Sequence, residues 1–330
     1  MNVQLQQILV SVALLALCAG CIEADTPVND GFVPFDAGAD AGATDPDDAI
    51  HEGDDAGDGG APGDNNGEGD GGEAVGPDGG DMGRDMGGTP AVCRPNNDGV
   101  ITRAEIPLKT GQFATYKAAL DVEGIDVVGQ PSQDDPDRRV WDLSGDLPGD
   151  MKVVLEALDP SGRWFSEDYP QATYVARLDA SSDLLGIFSL DDDAITIHGF
   201  ASQQDGLTAT DTRYEPGATV LAFPMELGST WSSEVDVSGR LQGVYWSAFA
   251  DATYTSQVDA RGTLRTPFAE FDVLRVRTDF VQTVNFTPIV RRISYAFVTE
   301  CFGTVAVINS MDNEDDPAFT EAAEVRRLSP

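Results

Sequence analysis

The chain has 330 residues and carries 57 Asp and Glu against 20 Lys and Arg, a formal net charge of −37. A surface this acidic repels phosphate backbones at any range that salt does not screen, which sets nucleic acid aside as a partner. The acidity is uneven: residues 23–85 hold 19 carboxylates against one base, and a stretch so charged and so poor in apolar side chains cannot offset its own ordering entropy. The folded part is therefore expected in the C-terminal two-thirds.

Ile8 to Leu17 is an apolar run of about ten residues, long enough for the core of a signal peptide and too short to cross a hydrocarbon layer of about 30 Å. Small residues Ala19 and Gly20 follow, then Cys21. Residues 1–21 resemble the signal and lipobox of bacterial lipoproteins, in which the cysteine after a small residue becomes the lipidated N-terminus. The resemblance implies a signal peptide over 1–20 and an acylated Cys21. It also implies an anchor effectively permanent at about 0.8 kcal/mol per buried CH₂. Ile22 stands where such Gram-negative proteins carry an Asp for inner-membrane retention, so the resemblance implies the outer membrane. An ordinary secretory signal cleaved after Ala19 or Gly20, giving a freely secreted chain, is the alternative.

Residues 21–92 then read as a lipidated start followed by a disordered tether. Asp36-Ala37-Gly38-Ala39-Asp40-Ala41-Gly42-Ala43 is a short repeat, and Gly53 to Gly88 is dominated by Gly and Asp. A flexible coil of this length reaches on the order of 45 Å, farther with self-repulsion.

The junction Cys93 to Glu105 is the most motif-like segment. With Gly99 as the sixth position, Asn96, Asp98, the Val100 carbonyl, Thr102 and Glu105 fall on positions three, five, seven, nine and twelve of an EF-hand loop, which the segment resembles. That resemblance implies calcium on Asn96, Asp98 and Glu105. Arg94 occupies the first position, Pro95 lies inside the loop and Pro107 comes two residues after Glu105, so the competing reading is an Asn-Asp-Gly turn with no cofactor. With Cys18 leaving in the signal and Cys21 acylated, Cys93 and Cys301 remain to form a disulfide in an oxidising compartment.

Beyond residue 105 the apolar pattern has period two. Strands are expected over 113–120, 151–157, 173–178, 184–190, 194–200 and 207–214. Trp231, Ser233, Val235 and Val237 share one parity, as do Leu274, Val276 and Phe280, and Ile293, Tyr295, Phe297 and Cys301. Residues 93–330 are thus expected to be mainly β, an antiparallel sandwich or a barrel or half-barrel after the acidic tether. Any division into two subdomains would fall near Pro216-Gly217. The stretch from Gly228 to Thr278, with Gly239, Gly243 and the segment Gly262 to Val276 in which the turn ends in Ala269-Glu270-Phe271 before a strand, is loosely similar to periplasmic half-barrel domains, which implies a curved sheet with a concavity for lipid or peptide.

Catalytic chemistry finds little to use. His51 lies in the tether, and a Ser-His-Asp arrangement would have to use His198, which no Gly-x-Ser-x-Gly elbow or metal motif accompanies. Asp191-Asp192-Asp193 and the group Asp312, Glu314, Asp315 and Asp316 read as loop charges. Trp141, Trp164, Trp231 and Trp246 are candidates for a glycan-binding face, Trp231 being on a core parity. The sequence thus points to a lipid-anchored envelope protein whose β domain binds an unidentified protein or glycan or serves a structural role. A carboxylate-using surface hydrolase and a calcium-dependent module are the alternatives.

Overall fold

In the computed structural model the described residues are 93–246 and 250–330, and they belong to one compact unit. The segment expected to be a signal peptide, Cys21 and the acidic segment lie outside them. The chain is mainly β, without an α-helix among the described residues. In order, the strands are β1 (Val100–Ile101), β2 (Phe113–Glu123), β3 (Gln130–Pro131), β4 (Arg139–Asp142), β5 (Met151–Glu156), β6 (Tyr174–Arg177), β7 (Leu185–Leu190), β8 (Ala194–Ala201) and β9 (Asp211–Ala222). There follow β10 (Met225–Glu226), β11 (Thr230–Leu241), β12 (Val244–Trp246), β13 (Ala250–Arg265), β14 (Glu270–Val284), β15 (Thr287–Thr299), β16 (Gly303–Ser310) and β17 (Glu321–Leu328).

Twelve strands pair antiparallel in the order β5-β2-β17-β16-β15-β14-β13-β11-β9-β8-β7-β6. The two ends of this path meet at one antiparallel bridge: Leu158 and Val175 exchange both backbone bonds, at 2.8 and 2.9 Å. The sheet is therefore a barrel closed by a narrow seam. Its inner face carries the alternating residues Tyr174, Phe188, Ile197, Val235, Tyr254, Val276 and Ala296, all buried. On β11 the partners of that alternation, Ser232, Glu234 and Asp236, are exposed, as the period-two pattern requires. Pro216 lies inside β9, and the strands on either side of it belong to the same sheet. There Tyr214–Gly217 bulge against the single residue His198 of β8. Proline has no N–H for a ladder and sits where the pairing is interrupted.

The strands from β14 to β17 depart from simple alternation because both faces are covered. The segment between β2 and β5 lays β4 parallel to the end of β13. Gly262 makes this possible, since a Cβ there would come 1.9 Å from the Arg139 carbonyl oxygen. Trp141, 1% exposed, packs edge-on to Phe297 and donates its indole N–H to the Val127 carbonyl. Arg275 lies under this layer, over the rings of Trp141 and Tyr295, paired bidentately with Asp259 and donating to the Val127 carbonyl. A second excursion, residues 158–172, puts Trp164, Phe165 and Tyr169 on the outside of β6, β7 and β8.

The inner face also carries a polar row. Ser256, Thr278, Ser294, Asn309 and Glu324 oppose one another in turn across five adjacent strands, and all are buried. Ser256 bonds Thr278 at 2.8 Å, and Ser294 donates to Asn309 at 2.6 Å. Glu324 ends the row beside Arg326.

Candidate functional site

The disulfide is formed: Cys93 and Cys301 are joined with Cα atoms 5.5 Å apart, tying the start of the domain to the turn between β15 and β16. Beside it the Asn-Asp-Gly segment folds as a series of local turns. The Asn96 side-chain oxygen accepts the Asp98 N–H, and Asp98 in turn accepts that of Val100. Thr102 caps a short 3-10 turn, Arg103–Glu105, and Glu105 reaches back to the Thr102 N–H and hydroxyl. Glu300 accepts the N–H groups of Asn96 and Asn97.

Of the three calcium candidates, Asn96 and Glu105 meet at 2.8 Å, while Asp98 faces its own turn. The Asn96 side-chain oxygen, one Asp98 oxygen and both Glu105 oxygens already accept hydrogen bonds within this segment. Among the described residues no group of three or more His, Cys, Asp or Glu side chains is placed to hold a metal ion. An adjoining polar cleft, lined by Asp98, Arg138, Arg261, Asp272 and Glu300 among others, measures about 90 Å³. It is too small to enclose a ligand of the usual kind, which takes about 300 Å³ or more.

His198 is half-buried, and burial holds its imidazole below the ordinary histidine pKa, with Asp191 opposing weakly. Its Nε2 lies 2.9 Å from the Ser189 hydroxyl, and Asp191 lies 3.4 Å from that same hydroxyl. In a nucleophilic triad the carboxylate orients the histidine; here it meets the serine, which is itself buried. The arrangement is a hydrogen-bonded pair on neighbouring strands.

The tryptophans separate. Trp141 is core, and Trp231 is partly buried and donates to the Thr219 carbonyl. Trp164 joins a surface constellation that period-two reading did not anticipate. The connections β6–β7, β8–β9, β11–β12, β14–β15 and β16–β17 leave the same end of the barrel, because neighbouring strands are antiparallel. At that end the β8–β9 loop interlocks with the β11–β12 turn. Gly243, at φ +80°, leaves only 2.0 Å between its missing Cβ and the Leu207 carbonyl oxygen, and its N–H donates to Ala209. Arg240 is clamped between the rings of Trp164 and Tyr245, at 5.4 and 5.9 Å, and bonds Asp205 and the Gly206 carbonyl.

Around this clamped guanidinium, Leu207 is 96% exposed, Tyr245 78% and Val244 56%. Phe286, 89% exposed, stands at the β14–β15 turn of the same end. A leucine directly after Asp205-Gly206, and Val244-Tyr245 directly after Gln242-Gly243, were the signals: apolar side chains placed in or immediately after turn residues. No family model, curated protein or solved structure matches the chain.

Proposed function

We propose that the chain is a lipid-anchored cell-envelope protein, exported by its signal and held in the outer membrane through Cys21, whose β domain is a binding module. The observation that carries the binding reading is the cluster of Leu207, Val244 and Tyr245 around Arg240. Tyrosine, tryptophan and arginine dominate the binding energy of protein interfaces, and exposed apolar groups held in place lose little entropy on contact. Arg240 is already held by two rings and two hydrogen bonds, so its neighbours are presented rigidly. The polar surroundings of the patch suit a protein or glycan partner in an aqueous compartment.

The test uses living cells producing the chain, or its Cys21→Ser variant, with a photoreactive residue at 245 or at the exposed outer-face position 234. The expected result is palmitate label and membrane retention only with Cys21, and a discrete adduct from 245 that is missing from 234. Adducts equal at both positions, or label retained in Cys21→Ser, would overturn the reading.

A further inference from the structure

The seam between β5 and β6 is braced from inside the barrel. In the sheet order β2 alone separates β17 from β5, and β6 lies across the seam from β5. The Glu324 side chain of β17 spans that interval on the inner face and accepts the N–H of Ala180, in the corner that joins β6 to β7. The corner is otherwise tied mainly to itself. Asp179 accepts from the N–H and hydroxyl groups of Ser181 and Ser182, and Arg177 donates to the Ser182 carbonyl. β6 has four residues, pairs with β7, and meets β5 through the single Leu158–Val175 bridge.

Glu324 is enclosed by five elements. Asn309 of β16 and Leu120 of β2 lie directly opposite it, Arg326 follows on its own strand, and Arg292 of β15 and Asp179 of the corner act on its charge. Arg292 is engaged by Asp312 at 2.6 Å, and Arg326 comes within 3.8 Å of the carboxylate, beyond hydrogen-bond contact. One Glu324 oxygen has no hydrogen-bond partner, and Glu324 and Asp179 are each 4% exposed. Two carboxylates this close and this dry oppose each other's ionisation. A proton on Glu324 removes that repulsion and leaves a carbonyl oxygen to hold the Ala180 N–H.

We propose that the brace is a proton-operated latch: with Glu324 protonated the β6–β7 corner is seated and the seam closed, and loss of that proton lifts the corner and opens the barrel wall between β5 and β6. Lifting takes the carboxylate into water and away from Asp179, and gives up the Ala180 bond and the Leu158–Val175 bridge. Burial first, then Asp179, hold the seated carboxyl above its ordinary value, to which it returns once solvated. The closed form is therefore fully favoured below the ordinary value and loses ground as pH rises toward the seated one. Between the two, opening releases one proton and its equilibrium constant grows about tenfold per pH unit.

The test is native-state hydrogen exchange of the full chain between about pH 4 and pH 9, read as protection factors so that the pH dependence of exchange itself cancels. The Ala180, Leu158 and Val175 amides are expected to lose protection together, by up to about tenfold per pH unit over part of that range. Glu324→Gln keeps the shape without the titration and is expected to leave the Leu158 and Val175 protection flat with pH. Opposed residues of a hydrogen-bonded pair lie about 5.5 Å apart at Cα, so Leu158→Cys with Val175→Cys locks the seam by a disulfide. The lock is expected to abolish the pH slope at Ala180, whereas a proton released only on global unfolding would leave it in place. Protection independent of pH in the parent, a slope that survives Glu324→Gln, or a slope at Ala180 that survives the seam disulfide would overturn the proposal.

Discussion

At the scale of single residues the barrel interior holds charge where alternation alone would put hydrocarbon. Glu324 is 4% exposed, has one carboxylate oxygen without a hydrogen-bond partner, and faces Asp179, itself 4% exposed and bonded by Ser181 and Ser182. Burial pushes the Glu324 carboxyl up, and Asp179 adds to this. Arg326, the Ala180 N–H and Arg292 oppose it and do not win. A carboxyl whose pKa is higher folded than unfolded binds more protons in the native state between those two values, so stability falls as pH rises through that window. Its contribution is complete below about pH 4, near the unfolded glutamate value, and lost above the folded one. Glu324→Gln keeps the shape and removes the titration. The expected outcome, read from urea midpoints across pH, is a variant more stable than the parent at pH 8 and equal to it at pH 4. A variant less stable at pH 8 would show that pairing with Arg326 outweighs burial. This residue was half legible in the sequence. The apolar parity Leu274, Val276, Phe280 skips Thr278, and Thr278 is a member of the polar row that ends at Glu324.

At the scale of elements, the strands were legible and their second covering was not. The expected strands at 113–120, 151–157, 173–178, 184–190 and 194–200 match β2, β5, β6, β7 and β8 within a few residues. In β2 and β5 one face is solvated and the burial alternates, whereas β6 and β7 are buried on both faces under the 158–172 excursion. The expected strand at 207–214 shifts to Asp211–Ala222, since Leu207 belongs to the surface turn and Pro216 is absorbed by a bulge. For β15 both parities are buried, and only the layer carrying Trp141 explains why. No local pattern encodes that layer, whose contacts lie far apart in sequence. Its attachment depends on an irregularity in β13: the register slips between Val258 and Ala260, and the extra residue, Asp259, turns toward Arg275. Asp259→Ala leaves a guanidinium 9% exposed without its counter-charge, and the expected cost is about 3–5 kcal/mol in denaturant unfolding. Adding Arg275→Met to that variant removes the stranded charge, so the double variant is expected to be more stable than Asp259→Ala alone. Additive losses would mean that Arg275 acts through packing on Trp141 and Tyr295 and not through its charge.

At the scale of the whole molecule, the barrel is unequally closed. β13 and β14 share fifteen register pairs, whereas β5 and β6 meet through Leu158 and Val175 alone. Opening at that seam breaks two backbone hydrogen bonds and leaves the polar row, the outer layer and the disulfide in place. Unzipping β14 breaks the core. Sub-global opening is therefore expected to begin between β5 and β6. In native-state hydrogen exchange the Leu158 and Val175 amides should exchange through a low-energy opening insensitive to denaturant, and the β14 amides only through global unfolding. The disulfide separates the two levels. It closes a loop between residues 208 apart in sequence, and on the chain-entropy view its loss costs about 5 kcal/mol. Most of that destabilisation is expected to come through the unfolded chain, which local opening of the seam does not sample. Replacing Cys93 and Cys301 together by serine should speed exchange in β14 by roughly three to four powers of ten. The seam amides should stay nearly unchanged as long as global unfolding remains the slower route for them. Equal acceleration at both places would mean that the seam opens only when the whole barrel does, and that a single bridge suffices to make twelve strands one cooperative unit.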